Sequence, residues 1–357
     1  MIPASTSLRA IPVSRLIEPI RVISIEKKTA RLASHVVRSS CNTFASHVLP
    51  GTIAVAWAHI MFLSPILSLL IWSIYGFYAF LAALLFFVLY PPIVDSFVGA
   101  ADFYNQTWRE LQVWKTFREY FPCTLKRSAE LPPEEQYLLC VHPHGLFFVG
   151  AQLSIACEAC DWSKLFPGVK VRPLVASVAF RVPFLREHYQ LAGALDLRIA
   201  KTRTIHNLSK KGYSFAIIPG GLGEAFHNHS GRDTVYLLKR KGFIRLAIQL
   251  GHHLVPVYSF GETDLYDHSM PWLALRERLS RHLRVPIGWY RGKYGTIVPR
   301  PRPLTVVVGR PIKVEKQEQP SDEYIARVQA EYVAELRRLF AENRDAAGYG
   351  DRELEIL

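Results

Sequence analysis

From Ser39 to Val94 the chain carries no Lys, Arg, Asp or Glu. A helix that crosses a bilayer needs about 20 apolar residues. The oily part of this stretch, from Thr52 to Tyr90, is too long for one comfortable span and suits two. The pattern predicts a helical hairpin, with a first arm from Ile53 to Ile71 and a second from Tyr75 to Tyr90. Gly76 lies near the turn, and Pro91-Pro92 stop the second helix because proline lacks the amide a helix interior needs. Up to Arg38 the N-terminal arm holds seven Lys/Arg against two Glu, and Arg109, Lys115, Arg118, Lys126 and Arg127 follow the second helix. Basic residues stay on the cytosolic side, so both ends are expected to face the cytosol. A re-entrant hairpin that never reaches the far leaflet fits the same pattern.

The remainder is ordinary in charge. The 357 residues include 43 Lys+Arg against 30 Asp+Glu, a net charge of +13, with half the residues apolar, which excludes a disordered chain. Met1 to Ile17 contain Ser and Arg and no acid to speak of, the composition of a transit peptide and equally of a short basic tail. Five cysteines, Cys41, Cys123, Cys140, Cys157 and Cys160, have no framework spacing, and one Cys-x-x-Cys without a second pair makes no zinc site, so reduced thiols are expected. Trp108, Leu111, Trp114, Phe117 and Phe121 recur at spacings of three and four with charged residues between them. This predicts an amphipathic helix whose aromatic face lies in the lipid interface or packs on the globular core.

Four segments follow: residues 1–50, a basic arm; 51–94, the hydrophobic hairpin; 95–125, an amphipathic interfacial helix and linker; and 126–357, an α/β domain. In the last, strands are expected at Tyr137 to Val141, Val171 to Ala176, Ser214 to Ile218, Leu254 to Ser259 and Leu304 to Val308. Helical patterns lie at Gly145 to Glu158, Pro183 to Leu191, Lys239 to Leu250, Trp272 to Leu283 and Ser321 to Glu342. Strands alternating with helices predict a central sheet flanked by helices.

In such a sheet, chemistry gathers where strands end and helices begin. The first expected strand runs into His142-Pro143-His144-Gly145. An imidazole near neutrality is the natural base for an alcohol proton, and Gly145 leaves room for a substrate. Two turn histidines with purely structural partners, or part of a metal site lacking its other ligands, fit the spacing too. The second element is Ile218-Pro219-Gly220-Gly221-Leu222-Gly223-Glu224, a glycine turn whose amides could cradle an oxyanion or phosphate, with Glu224 available to orient a histidine. The third is Lys239-Arg240-Lys241-Gly242-Phe243-Ile244-Arg245, a basic helix start suited to an anionic ligand. His227, His229, His252 and His253 have no ligand spacing and are expected at the surface.

Together these blocks resemble the type-2 diacylglycerol acyltransferase family, which includes monoacylglycerol and wax-alcohol acyltransferases. The resemblance rests on Tyr120-Phe121-Pro122, His142-Pro143-His144-Gly145, Pro219-Gly220-Gly221 with Glu224, Arg240-Lys241-Gly242-Phe243, Val255 to Glu262, and Val308-Gly309-Arg310-Pro311-Ile312. Glu224-Ala225-Phe226 is more similar to the plant and algal branch than to the animal one. The resemblance implies a glycerolipid-acyltransferase-like α/β domain preceded by a membrane-embedded helical hairpin. It implies an endoplasmic-reticulum membrane enzyme, also found on lipid droplets, that moves a fatty acyl group from acyl-CoA to diacylglycerol. Monoacylglycerol, a long-chain alcohol or a lysophospholipid are the alternative acceptors. Acyl-CoA is a cosubstrate, no cofactor or metal is implied, no nucleic acid is a partner, and a homo-oligomer is left open.

Related glycerolipid enzymes carry a His-x4-Asp motif; here the corresponding positions are Phe147 and Val149, so the base needs another carboxylate, and Glu224 is the candidate. Near the C-terminus the family's His-x-x-Tyr reads Gln329-Ala330-Glu331-Tyr332, and no catalytic role is assigned there. The expected catalytic set is His144 as base with His142 and Glu224 in support. Gly145, Pro219, Gly220, Gly221, Arg240, Lys241, Gly242, Phe243 and Arg245 are expected to bind substrate or acyl-CoA. A hydrolase would call for a Gly-x-Ser-x-Gly elbow, which is absent. A non-catalytic hairpin protein would give no reason for two strand-end glycine turns.

Overall fold

In a computed structural model, the structure describes residues 104–198, 203–227, 229–269 and 289–357, with scattered positions at 76–90 and 275–280. The first expected hairpin arm lies outside the described residues, as does most of the helix expected at Trp272 to Leu283, whose described positions 275 and 278–280 are helical. Of the second arm, every described position from Phe77 to Tyr90 is helical, and Gly76 just before it has φ +82°. Among the described residues no helix is long and apolar enough to cross a membrane.

Among the described residues the main sheet has seven strands: β1 (Cys123–Arg127), β2 (Tyr137–His142), β3 (Val171–Val175), β4 (Leu195–Asp196), β5 (Ser214–Ile217), β7 (His253–Phe260) and β10 (Leu304–Val308), ordered β1-β10-β7-β2-β5-β3-β4. All neighbours are parallel except β10 and β7. Two short pairs form separate two-stranded sheets, β6 (Asp233–Val235) with β11 (Leu354–Ile356) and β8 (Asp267–Ser269) with β9 (Trp289–Arg291). The helices that matter are α1 (Gln112–Tyr120), α2 (Val149–Ala151), α3 (Leu185–Leu191), α4 (Arg203–Lys210), α5 (Gly221–His227), α6 (Gly242–Leu250) and α7 (Asp322–Asn343).

Strand alternation sends side chains to two cores. Tyr137, Leu139 and Val141 of β2 join Val255 and Val257 of β7 on the face covered by α1 and α2. Leu138 and Cys140 join Leu254, Tyr258 and Phe260 on the face covered by α4, α6 and α7. By the same alternation His142, the last residue of β2, belongs to the α7 face. Parallel strands buried on both sides read as continuous apolar runs, and all five expected strands occur. The aromatic face expected at residues 108–121 is broken between Gln106–Arg109 and α1, and its Trp114, Phe117 and Phe121 are buried in the first core.

Two expectations are corrected. The helix expected from Gly145 begins only at Val149, because Gly145 (φ +56°) and Phe148 (φ +44°) turn the chain into the left-handed region first; it then continues as a π-turn over Gln152–Ala156. His252, expected at the surface, is fully buried: its Nε2 lies 2.8 Å from Ser209 Oγ, and burial pushes its pKa down to about 4.

Candidate active site

Strands β2, β5 and β7 are mutually parallel, with Cys140 opposite Ile217 and His142 opposite Tyr258. Their carboxyl ends therefore open on the same edge of the sheet, bringing together the turn after His142, the Pro219–Gly221 turn and the Gly261-Glu262 turn.

His142 is fully buried. Its Nε2 lies 3.0 Å from the Tyr332 hydroxyl, which approaches from α7, and its Nδ1 lies 3.6 Å from Glu224 Oε1. His144, one turn further on, is only partly buried. Its Nδ1 is 2.9 Å from the Gly145 carbonyl oxygen. A carbonyl can only accept, so Nδ1 carries the proton and Nε2 keeps its lone pair. Loss of solvent holds this imidazole below its ordinary pKa, outweighing the Gly145 carbonyl and the Glu224 carboxylate, which act the other way. An imidazole so placed can accept a proton at Nε2.

Glu224, in the first turn of α5, is 1% exposed. Its Oε2 accepts from the His144 amide at 2.7 Å and its Oε1 from the Tyr236 amide at 3.1 Å. Gly220 must be glycine because a Cβ there would fall 1.8 Å from Glu224 Cδ. Gly221 has φ +55°. Arg240 reaches this turn, with Nη2 3.5 Å from the Gly220 carbonyl oxygen, and exposed Lys241 and Gly242 stand beside it at the start of α6. Two expected binders point elsewhere. Phe243 is buried, its ring 5.2 Å from that of Tyr332, and Arg245 pairs with Asp322 at 3.2 Å on the surface.

Two residues given no role from sequence stand in this site. Tyr332 is fully buried against His142, and Gln329, on the same helix, donates to the carbonyls of Leu237 and Leu238. The stripe Ile325, Val328, Tyr332, Leu336 marks the buried face of α7, which was the available signal. Glu262, also buried, accepts from the amides of Val149 (2.7 Å) and Gly150 (2.8 Å) and from Ser259 Oγ (3.1 Å). It supplies these amides at the start of α2 with the acceptors they lack. Burial pushes its carboxyl up to about 7 against those three donors. A Cβ on Gly145 would lie 2.7 Å from Glu262 Cγ. The turn bearing His144 is thus held between two buried carboxylates, Glu224 on one side and Glu262 on the other. Among the described residues no group of three or more His, Cys, Asp and Glu is placed to hold a metal ion.

Residues 74–356 match the family model described as diacylglycerol acyltransferase. The human protein named acyl-CoA wax alcohol acyltransferase 2 is 33% identical over 261 residues, covering 70% of this chain and 78% of that one. Diacylglycerol O-acyltransferase 2 of Danio rerio is 34% identical over 268 residues, covering 71% and 73%. Among solved structures, the 1-acyl-sn-glycerophosphate (LPA) acyltransferase PlsC of Thermotoga maritima aligns at TM-score 0.39 and 13% identity, over 75% of this chain and 93% of that one, a likeness too distant to bear on the site. The extent of the family match and the identity to these relatives agree: the chain belongs to the diacylglycerol acyltransferase family.

Proposed function

We propose that this acyltransferase moves a fatty acyl group from acyl-CoA to the free hydroxyl of diacylglycerol, forming triacylglycerol. Nε2 of His144 takes the hydroxyl proton as the alcohol oxygen attacks the thioester carbonyl. The tetrahedral oxyanion rests on amides of the Gly220-Gly221 turn. As the C–S bond breaks, the imidazolium returns its proton to the departing CoA sulfur, leaving ester, CoA thiol and neutral His144. No acyl-enzyme is formed. Glu224 fixes the backbone of His144 and favours the transient positive charge, and His142, enclosed by Tyr332 and Glu224, supports the turn from below. Arg240 and Lys241, beside the glycine turn, are suited to CoA phosphates.

The observation that carries this reading is the tautomer of His144: its Nδ1 proton is committed to the Gly145 carbonyl at 2.9 Å, which leaves Nε2 as the base. The charge-free stretch supports a membrane-bound enzyme, and the family supports the endoplasmic reticulum or a lipid droplet as its membrane, with both termini cytosolic and acyl-CoA delivered from that side. A long-chain alcohol is the second reading of the acceptor, favoured by the 33% identity to the human wax alcohol acyltransferase.

The test uses membranes of a neutral-lipid-deficient host expressing the chain, given labelled acyl-CoA with diacylglycerol, monoacylglycerol, fatty alcohol or lysophospholipid in parallel. Labelled triacylglycerol as the main product supports the reading. Wax ester as the main product replaces diacylglycerol by an alcohol, and no ester with any acceptor refutes acyl transfer.

A further inference from the structure

A third, small apolar cluster lies apart from the two main cores. It consists of buried Ala179, Leu185, Tyr189 and Ala194 with partly buried Phe148, Val175, Phe180 and Val182. Its aromatic rings form a seam that ends at His144. Phe180 and Tyr189 are 6.3 Å apart, Tyr189 and Phe148 6.3 Å, and Phe148 and His144 5.5 Å. At the outer end Phe184 is 66% exposed, and its ring is 6.4 Å from that of Tyr90, which lies in the charge-free stretch.

Phe148 (φ 44°) and Phe184 (φ 67°) enter α2 and α3 through backbone conformations that bulky residues rarely adopt, and one feature of the seam has no structural explanation. Tyr189 is 1% exposed, yet its hydroxyl has no hydrogen-bond partner among the described residues. A buried polar group in that state is rare and calls for an explanation. Burial pushes its phenol well above the usual range, so it remains an O–H donor.

We propose that this seam is the seat of the acceptor lipid, and that the Tyr189 hydroxyl donates to an ester carbonyl of a glyceride. The proposal rests on the acyl-transfer reading and narrows it to ester-bearing acceptors. Apolar side chains suit an acyl chain, and the unmet Tyr189 hydroxyl needs an acceptor oxygen beside them. A glyceride has one at the root of each acyl chain, a few bonds from the free hydroxyl that must meet His144. A simple long-chain alcohol has none. The basic Arg240 and Lys241 lie at the glycine turn, so the seam is left for the uncharged substrate. The exposed Phe184 next to Tyr90 puts its mouth beside the charge-free stretch, where a lipid would arrive.

The experiment compares the full chain and Tyr189→Phe, each reconstituted in phosphatidylcholine vesicles, with dioleoylglycerol and hexadecanol as rival acceptors. Loss of one neutral hydrogen bond should lower the ratio of kcat/KM for dioleoylglycerol over hexadecanol about fivefold, mainly through KM. An unchanged ratio, including an equal fall for both acceptors, overturns the proposal. Binding is read separately by photolabelling the same vesicles with a diacylglycerol bearing a diazirine in one acyl chain. Label on residues 180–189, displaced by dioleoylglycerol and weakened in Tyr189→Phe, is expected. Label there without ester formation from any acceptor would refute acyl transfer and leave the lipid seat standing. Triacylglycerol synthesis with label elsewhere would refute the lipid seat alone.

Discussion

The amide of His144 donates to Glu224 Oε2 at 2.7 Å while Oε1 of the same carboxylate accepts from the Tyr236 amide, so one buried side chain ties the turn after β2 to the segment after β6. Glu224→Ala would take the acceptor away from both partly buried amides, at about 1 kcal/mol each, and release the turn that bears His144. Activity should fall on the order of 10²-fold in kcat with a smaller change in KM. Glu224→Gln keeps one acceptor oxygen and should fall between. Steady-state kinetics on both variants, with thermal unfolding in detergent to confirm folding, checks the order.

Tyr332 and His142 are 190 positions apart and 3.0 Å distant. Tyr332→Phe keeps the ring against Phe243 and removes only the hydroxyl that meets His142 and the Cys140 carbonyl oxygen, the latter at 3.3 Å. The expected cost is about 1 kcal/mol in stability and a modest drop in kcat, since in the proposed mechanism His142 only supports the turn. A loss in Tyr332→Phe as large as that in His144→Ala would mean that His142 takes part in proton transfer.

Gly220→Ala should inactivate the enzyme without changing membrane attachment. The added methyl would land on Glu224 Cδ, and the nearest carboxylate oxygen is 2.0 Å from the same point, so Glu224 must leave the His144 amide. At Gly242 a Cβ meets nothing within 4 Å, so Gly242→Ala should leave Glu224 in place and the melting temperature unchanged, and any loss of activity there would report contact with acyl-CoA at the start of α6.

Glu262 gives a pH signature. Its carboxyl is raised from its ordinary value near 4.5 to about 7 by burial, so the folded protein holds this proton more tightly than the unfolded chain. Stability from this group is full below about pH 4.5 and is lost as pH rises to 7, by roughly 3 kcal/mol in all. Glu262→Gln cannot titrate. The stability of the wild type relative to Glu262→Gln should therefore decline from pH 4.5 to 7 and level off above, read as the difference between the two melting temperatures in detergent.

The inner strands were legible because parallel strands covered on both faces read as unbroken apolar runs, and Leu304–Val308 matches to the residue. Edge strand β1 was hidden: its sequence, Cys-Thr-Leu-Lys-Arg, is largely exposed and lacks that signal. The histidine turn, the glycine turn and Glu224 announce themselves as strand ends running into helices. Tyr332 does not, because its role depends on how α7 packs against β2. Glu262 was readable, since Gly261-Glu262 ends β7 as Pro219 to Glu224 follows β5. The helix start at Val149 was not, because the left-handed turn at Phe148 has no glycine to mark it.

The most direct test of the account is His144→Ala in the full chain, assayed in membranes with labelled acyl-CoA and diacylglycerol beside the wild type at equal expression. The account expects labelled triacylglycerol from the wild type and none above background from the variant, with membrane association and melting temperature unchanged. Wild-type turnover in a folded His144→Ala enzyme would contradict it and remove His144 from the reaction.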